Sequence, residues 1–413
     1  MGYQQGLSGL AGASNALDVI GNNIANANTV GFKSSTAQFS DMYANSIATS
    51  VNTQIGIGTA LASVQQQFGQ GTINTTNSSL DVAINGNGFF QMSNNGTITY
   101  TRDGTFQRDK NGYIVNSQGL NLMGYAADKN GVINTAQTVP LQAPTTNIAP
   151  TATTKITGQF NLNSQDTVPT KTPFDANDTT TYNYSTSIQV YDSLGGSQAV
   201  NMYFVKTAAG TWEAYAGVQG GTTNDLGTIQ FDSSGAISGT TTGSPATPTA
   251  ALGQFQFTVP NTDGSATPQT LTLDLTGTTQ YGGKDGVNNL AQDGYASGTL
   301  TTFTIGTDGK LTGNYSNGQT AVLGQIALAN FNNPNGLVNI GGNQYAETAA
   351  SGVPQISVPG STNHGTLQGS ALENSNVDLT SQLVNLITAQ RNYQANAQTI
   401  KTQQTVDQTL INL

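Results

Sequence analysis

Hydrophobic positions recur at helical spacing in two long stretches, and these are the two ends of the chain. Leu7, Leu10, Leu17, Ile20 and Ile24 fall at steps of three, seven, three and four, one stripe on a helix. At the other end Leu379, Leu383, Leu386, Tyr393, Ala397 and Ile400 keep a 3.5-residue spacing, which Val406, Leu410 and Leu413 extend. The first stripe is rich in alanine, which favours helix, and runs into Asn22, Asn23, Asn26 and Asn28 before Gly31, a helix stop. Those asparagines read either as a frayed helix end or as a polar seam against other helices. Asn376 or Asp378 is the expected cap of the last helix.

Between the ends the period is two. Leu80, Val82 and Ile84 alternate with Asp81 and Ala83, a half-buried strand. Asn95-Gly96, Asp103-Gly104, Asn111-Gly112 and Asn130-Gly131 each separate short β-prone runs and predict hairpin turns. Prolines and threonines near residue 150 predict a domain boundary. Strands are expected again at 187–191, 200–205, 255–259, 271–275, 299–305 and 322–331. Residues 34–72 read as an extended or loosely β connector, and the Gly-rich tract 351–369 as a break in the sheet pattern. The expected fold is mainly β with α-helical termini. Two β-rich domains are nested in the chain, residues 73–146 plus 290–363 inside and 147–289 as an outer insertion. A terminal domain of paired helices, coiled-coil-like, takes 1–72 plus 364–413.

Composition narrows the chemistry. Only 8% of residues are charged, against roughly 25% in an ordinary soluble chain. Gly, Thr, Asn, Ser and Gln supply the polarity, as in a β-rich surface with many turns. A net charge of −10 argues against nucleic acid as a partner. With no cysteine and one histidine, His364, thiolate zinc sites, cysteine nucleophiles and histidine metal clusters are excluded. Asp109-Lys110-Asn111-Gly112 has the start of a calcium loop but lacks its later glutamate, and reads as a turn. Gly56 and Gly58 lack the third glycine and helix of a phosphate loop. Trp212 reads as core. No catalytic residue, cofactor or metal is expected, and no apolar run is long enough for membrane insertion.

The segment Asn15–Asn28 followed by Thr29-Val30-Gly31-Phe32-Lys33 resembles the N-terminal signature of bacterial flagellar rod and hook proteins. Its signature positions are Asn22, Asn23, Asn26, Gly31, Phe32 and Lys33. Glu373-Asn374-Ser375-Asn376-Val377-Asp378, with 391–397 inside the helix, resembles the C-terminal signature of the same axial family. Asn161–Ser164 leading to Pro173-Phe174, and Val190–Gly195, resemble the insertion carried by the hook members, and 324–331 their inner β domain. The sibling reading is a distal rod or hook-associated axial protein. A third is an extracellular β-rich adhesin, which would lack matched terminal stripes.

The resemblance implies a subunit that self-assembles into a curved flexible tube, the universal joint passing torque from rod to filament. Its implied partners are further copies of itself, the distal rod protein, the hook cap, the hook-filament junction proteins and the type III export apparatus. It implies an extracellular place in the basal body and hook, reached without a cleaved signal peptide. The stripe residues Leu7, Leu10, Leu17, Ile20, Ile24, Leu379, Leu383, Leu386, Tyr393, Ile400, Leu410 and Leu413 are the expected polymerisation surface. Such helices bury too little alone to offset the entropy of ordering them. They are therefore expected to be mobile in the monomer and helical in the polymer.

Overall fold

The computed structural model describes residues 2–42, 56–128, 130–144, 146–242, 247–248 and 251–411. Tyr43 and Ile55 of the expected connector, and Leu413 of the expected stripe, lie outside them, as does the Leu410 side chain. The chain forms two compact units. One comprises Met1–Thr145, Thr301–Asn314 and Thr320–Leu413, the other Thr146–Leu300 and Tyr315–Gln319.

In the first unit, helix α1 (Gly2–Ala25) packs against helix α2 (Leu379–Ile411). They run antiparallel, since Gly6 faces Ile400, Gly9 faces Asn396, and Asn23 reaches Gln382. A Cβ at Gly9 would lie 2.6 Å from the Asn396 carboxamide, so this face of α1 is built for close approach. The chain after α1, expected as an extended or loosely β connector, is β. Strands β1 (Ser35–Met42) and β2 (Gly58–Gln66) pair as an antiparallel ribbon with a bulge at Gln38/Phe39, and the ribbon packs on α1. Gly12 of α1 leaves room for Phe39 and Thr59 there.

The β body of this unit is woven from both halves of the sequence. Strands Thr320–Ile326, Asn121–Ala126, Phe89–Asn94, Thr97–Thr101, Gln344–Ala346 and Val338–Gly341 lie side by side in that order. Thr366–Gly369 pairs with Val82–Asn85, and Ala371–Glu373 with Ile73–Thr75. The expected sheet break at 351–369 therefore holds two strands, Gln355–Ser357 and Thr366–Gly369. His364 hydrogen-bonds the Gln355 carbonyl in the loop between them. The half-buried strand expected at 80–84 is covered on both faces: Val82, Ala83 and Ile84 are all fully buried. Small Ala83 fits where a polar residue would face water. Around these strands lie one core of Phe90, Met92, Leu122, Ile326 and Leu328, and a second of Phe89, Tyr100, Phe331 and Tyr345.

In the second unit a six-stranded sheet from Tyr184 to Pro248 and a four-stranded sheet share one core. The latter contains Lys155–Asn161, Gln254–Val259, Gln269–Asp274 and Gly286–Gln292. Trp212 is fully buried there among Phe160, Phe204, Phe255 and Leu273.

The turns follow a pattern broader than the Asn-Gly pair. At Asp109, Asn116, Asp128, Asp192 and Asp232 the side-chain oxygen accepts the amides two and four residues on. Three residues after each stands a glycine with φ between 77° and 87°. This is a tight turn closed by a left-handed glycine. Asn95-Gly96 is the expected two-residue hairpin, both residues at positive φ. Asp103-Gly104 is not a hairpin: Gly104 lies against the Val82 backbone, where a Cβ would strike the Val82 carbonyl.

Asp274 ties the four-stranded sheet together, accepting from Lys155 at 2.8 Å and from the Thr276 amide at 3.0 Å. Burial alone would raise its carboxyl, but Lys155 and Thr276 outweigh that and hold it at about 2, below the usual 3.8. A depressed folded-state value makes this stabilisation complete above the unfolded value and lost as pH falls through the folded one. The second unit should thus weaken between pH ~4 and ~2. Trp212 fluorescence in urea, followed against pH, should show that slope, and Asp274→Asn should flatten it while lowering the neutral-pH midpoint. An unchanged slope in the variant would refute the assignment.

Candidate assembly surface and its anchor

Where the helical ends join the β body, three charges are buried together. Lys33 Nζ donates to Glu373 Oε1 at 2.7 Å and to the Gly69 carbonyl at 2.8 Å. Arg102 donates to Glu373 Oε2 at 3.2 Å and to the Gly86 carbonyl at 2.8 Å, and its guanidinium lies over the Phe89 ring. The Gly71 amide also donates to Glu373. Burial pulls the Lys33 ammonium below the ordinary lysine value, while Glu373 opposes the shift. One carboxylate thus holds chain segments around residues 33, 71 and 102 at once.

The neighbouring residues of the signature complete the anchor. Gly31, at φ +68°, donates its amide to the Glu373 carbonyl and lies so close to Asp103 that a Cβ would sit 2.6 Å from that residue's amide. Phe32 is buried. Asn23, also buried, exchanges two 2.8 Å hydrogen bonds with the Ser35 backbone, turning β1 back along α1. Asn376 accepts from the Ser34 amide and donates to the Gln67 and Gly69 carbonyls. The cap of α2 is Asp378, which accepts the Thr380 and Ser381 amides. Asn22 is exposed and Asn26 bonds its own helix, so the polar seam reduces to Asn23 and Gln382.

The predicted stripe residues divide between two surfaces. Leu10, Leu17, Ile20, Ile24, Leu386 and Ile400 are half-buried, and Ala389 is the buried centre of the α2 seam. Leu7, Leu379, Leu383 and Tyr393 are exposed, and beside them Val384 is 59% and Ile387 50% exposed. The apolar face of α2 is therefore wider than its seam with α1. Phe39, Met42, Leu61 and Val64 add exposed apolar side chains on the ribbon. Sequence reasoning missed Val384, Ile387, Arg102 and the role of Glu373. The first two adjoin the stripe and were legible. The charged partner of Lys33, Glu373, lies 340 residues away and has no local signal.

Four family models match in chain order. They are "Flagella basal body rod protein" at 4–33, "Flagellar hook protein FlgE/F/G D1 domain" at 83–159, "Flagellar basal body protein FlaE D2 domain" at 161–295, and "Flagellar basal body rod FlgEFG protein C-terminal" at 368–413. With paired terminal helices on a woven β body, they define a flagellar axial protein. The chain is 42% identical over 424 residues to the flagellar hook protein FlgE of Salmonella typhimurium, covering 100% of both. It is 42% identical to that of Escherichia coli, and 32% identical to that of Treponema pallidum over 99% of this chain and 98% of the relative. The chain belongs to the flagellar hook protein family, whose members are structural subunits of the flagellum. A crystal structure of a Helicobacter pylori flagellar hook protein shares the fold, with a TM-score of 0.50 at 16% identity over 73% of this chain and 100% of that one.

Removing the one anion between two buried cations leaves both uncompensated, a loss of about 3–5 kcal/mol for such a change. Glu373→Gln should therefore lower the denaturation midpoint of the first unit, read by far-ultraviolet circular dichroism. The Trp212 transition of the second unit serves as the internal control. A loss under about 1 kcal/mol would show that the triad does not anchor the ends.

Proposed function

We propose that this hook-family chain builds the curved tube of the flagellar hook by burying the exposed apolar face of α2, with the outer face of α1, against further copies of itself. The observation that carries this is the run Leu379, Leu383, Val384 and Ile387. These side chains stand open on a long helix whose partner in the chain covers only its other side. A contiguous apolar face of this kind marks an interaction surface, and a repeated identical contact that does not close on itself gives a helical tube. The role is mechanical, without catalysis: the tube acts as a universal joint carrying torque from rod to filament. Its neighbours are the distal rod protein, the cap and the hook-filament junction proteins, and its subunits leave through the type III export apparatus.

Within this reading the chain divides by task. Residues 1–72 with 364–413 form the inner tube, 73–146 with 290–363 the inner β layer, and 147–289 the outer domain. The charge-poor Gly, Thr and Asn surface makes contacts between outer domains weak and exchangeable, which a bending tube needs. The α1–α2 seam is thin: Gly6, Gly12, Ala13 and Asn23 are the buried positions of α1 and Ala389 that of α2 among the described residues. The pair is therefore marginal in the monomer and gains its stability from other copies.

Leu383→Asp combined with Val384→Asp changes only exposed positions. The variant should keep the monomer fold and abolish tube formation on salting-out, as judged by electron microscopy. Normal tubes from it would refute the proposed surface. Hydrogen exchange on the wild-type monomer should show weak protection across 395–411 and strong protection there in tubes; equal protection in both states would remove the argument for end-driven assembly.

A further inference from the structure

We propose that the first unit binds one small oxyanion, a carboxylate, sulfate or phosphate group, in the cavity beside Arg102. The cluster that anchors the helical ends is not neutral. Lys33 and Arg102 are two cations, and Glu373 is the one carboxylate in ion-pair contact with either among the described residues. The Lys33 and Glu373 side chains are fully enclosed and Arg102 is 4% exposed, so water screens the excess positive charge poorly. The guanidinium is also incompletely bonded. Its terminal nitrogens donate to Glu373 and to the Gly86 carbonyl, while the buried Nε has no hydrogen-bond acceptor. The Phe89 ring beside it attracts the cation without discharging it.

Arg102 lines a cavity of about 310 Å³, whose other polar walls are the carboxamides of Asn87, Asn330, Asn332, Gln355 and Asn363. No acidic side chain lines it. Two of these amides are committed, since Asn330 donates to the Asn363 carbonyl and Gln355 to Asn332 Oδ1. The amide nitrogens of Asn87, Asn332 and Asn363 donate to nothing among the described residues. Neutral N–H donors gathered beside a buried cation suit an oxyanion, because the amides supply hydrogen bonds and the cation supplies attraction. A cation would be repelled there, and an apolar ligand would leave the amides without acceptors. In a chain of net charge −10, a cavity walled by a cation and amides runs against the overall field and is a local feature. The oxyanion has two sources, a free ion from solution or a carboxylate side chain of another copy.

The test uses the full chain as monomer, unfolded by heat in sodium sulfate against sodium chloride of equal ionic strength. Far-ultraviolet circular dichroism follows the first unit, and Trp212 fluorescence in the second unit reports any general salt effect. At about ten times its dissociation constant, sulfate should raise the first transition by about 3–6 °C and leave the Trp212 transition in place. The rise should be lost in Asn332→Asp and in Asn87→Asp, which put a negative charge at exposed positions of the cavity wall with little change of shape. Isothermal titration with sulfate should give one site per chain in wild type and none in either variant. Equal rises in both units, a rise retained in either variant, or a titration with no saturable site would overturn the proposal. Radiolabelled sulfate on tubes, an arm that rests on the assembly reading above, separates the sources. Sulfate held by monomer and tubes alike supports an ion from solution, and sulfate released on assembly supports a carboxylate of another copy. The monomer titration decides the site itself whether or not tubes form.

Discussion

Everything about how this chain presents its ends depends on a single buried carboxylate, that of Glu373. Lys33 follows the first helix, Arg102 sits in the β body, and Glu373 precedes the last helix, so the contact fastens three parts of the first unit that are remote in sequence. In a chain with 8% charged residues, three charges in one buried cluster is a large commitment. Burying ions is expensive unless geometry and extra hydrogen bonds compensate, and here carbonyls of Gly69 and Gly86 and the amide of Gly71 do so. The return is specificity of position. Helices that present an apolar face to other copies must leave the β body at one fixed angle, and a hydrophobic contact alone would not set it. Asn23 and Asn376 refine that angle mainly by binding backbone.

The helical ends were legible because their signal is long and periodic, and tertiary contacts reinforce it. The alternating strands of the second unit were legible for the same reason, and Trp212 as core followed from its size. The ribbon of β1 and β2 was legible only as a loosely β connector, and its pairing was not, because its residues are mostly exposed and carry no clean alternation; helix packing, rather than pattern, holds it. The turns at Asn95, Asn111 and Asn130 were legible from the Asn-Gly pair, but the pair is narrower than the pattern the structure uses. The determinant is an aspartate or asparagine three residues before a glycine, as at Asp192 and Asp232, and an Asn-Gly pair coincides with it only at Asn111 and Asn130. Asp103-Gly104 shows the converse, a glycine needed for close approach and not for a turn.

The anchor was half visible. Gly31, Phe32 and Lys33 stood out as a signature by resemblance, yet their chemistry depends on partners up to 340 residues away. The stripe was read as one surface, whereas the structure divides it into a seam with α1 and an open face led by Leu383 and Val384. A 3.5-residue stripe wider than one partner can cover implies a second partner, and that inference needed the exposed positions of the folded chain.

The measurement that tests the central claim most directly is a cryo-electron microscopy map of tubes assembled from this chain, at a resolution that shows side chains. The account predicts Leu383, Val384 and Ile387 buried against α1 or α2 of another copy, with the Lys33–Glu373–Arg102 cluster intact in every subunit. Tubes in which that face of α2 meets only water, with subunits held through the β units alone, would contradict it.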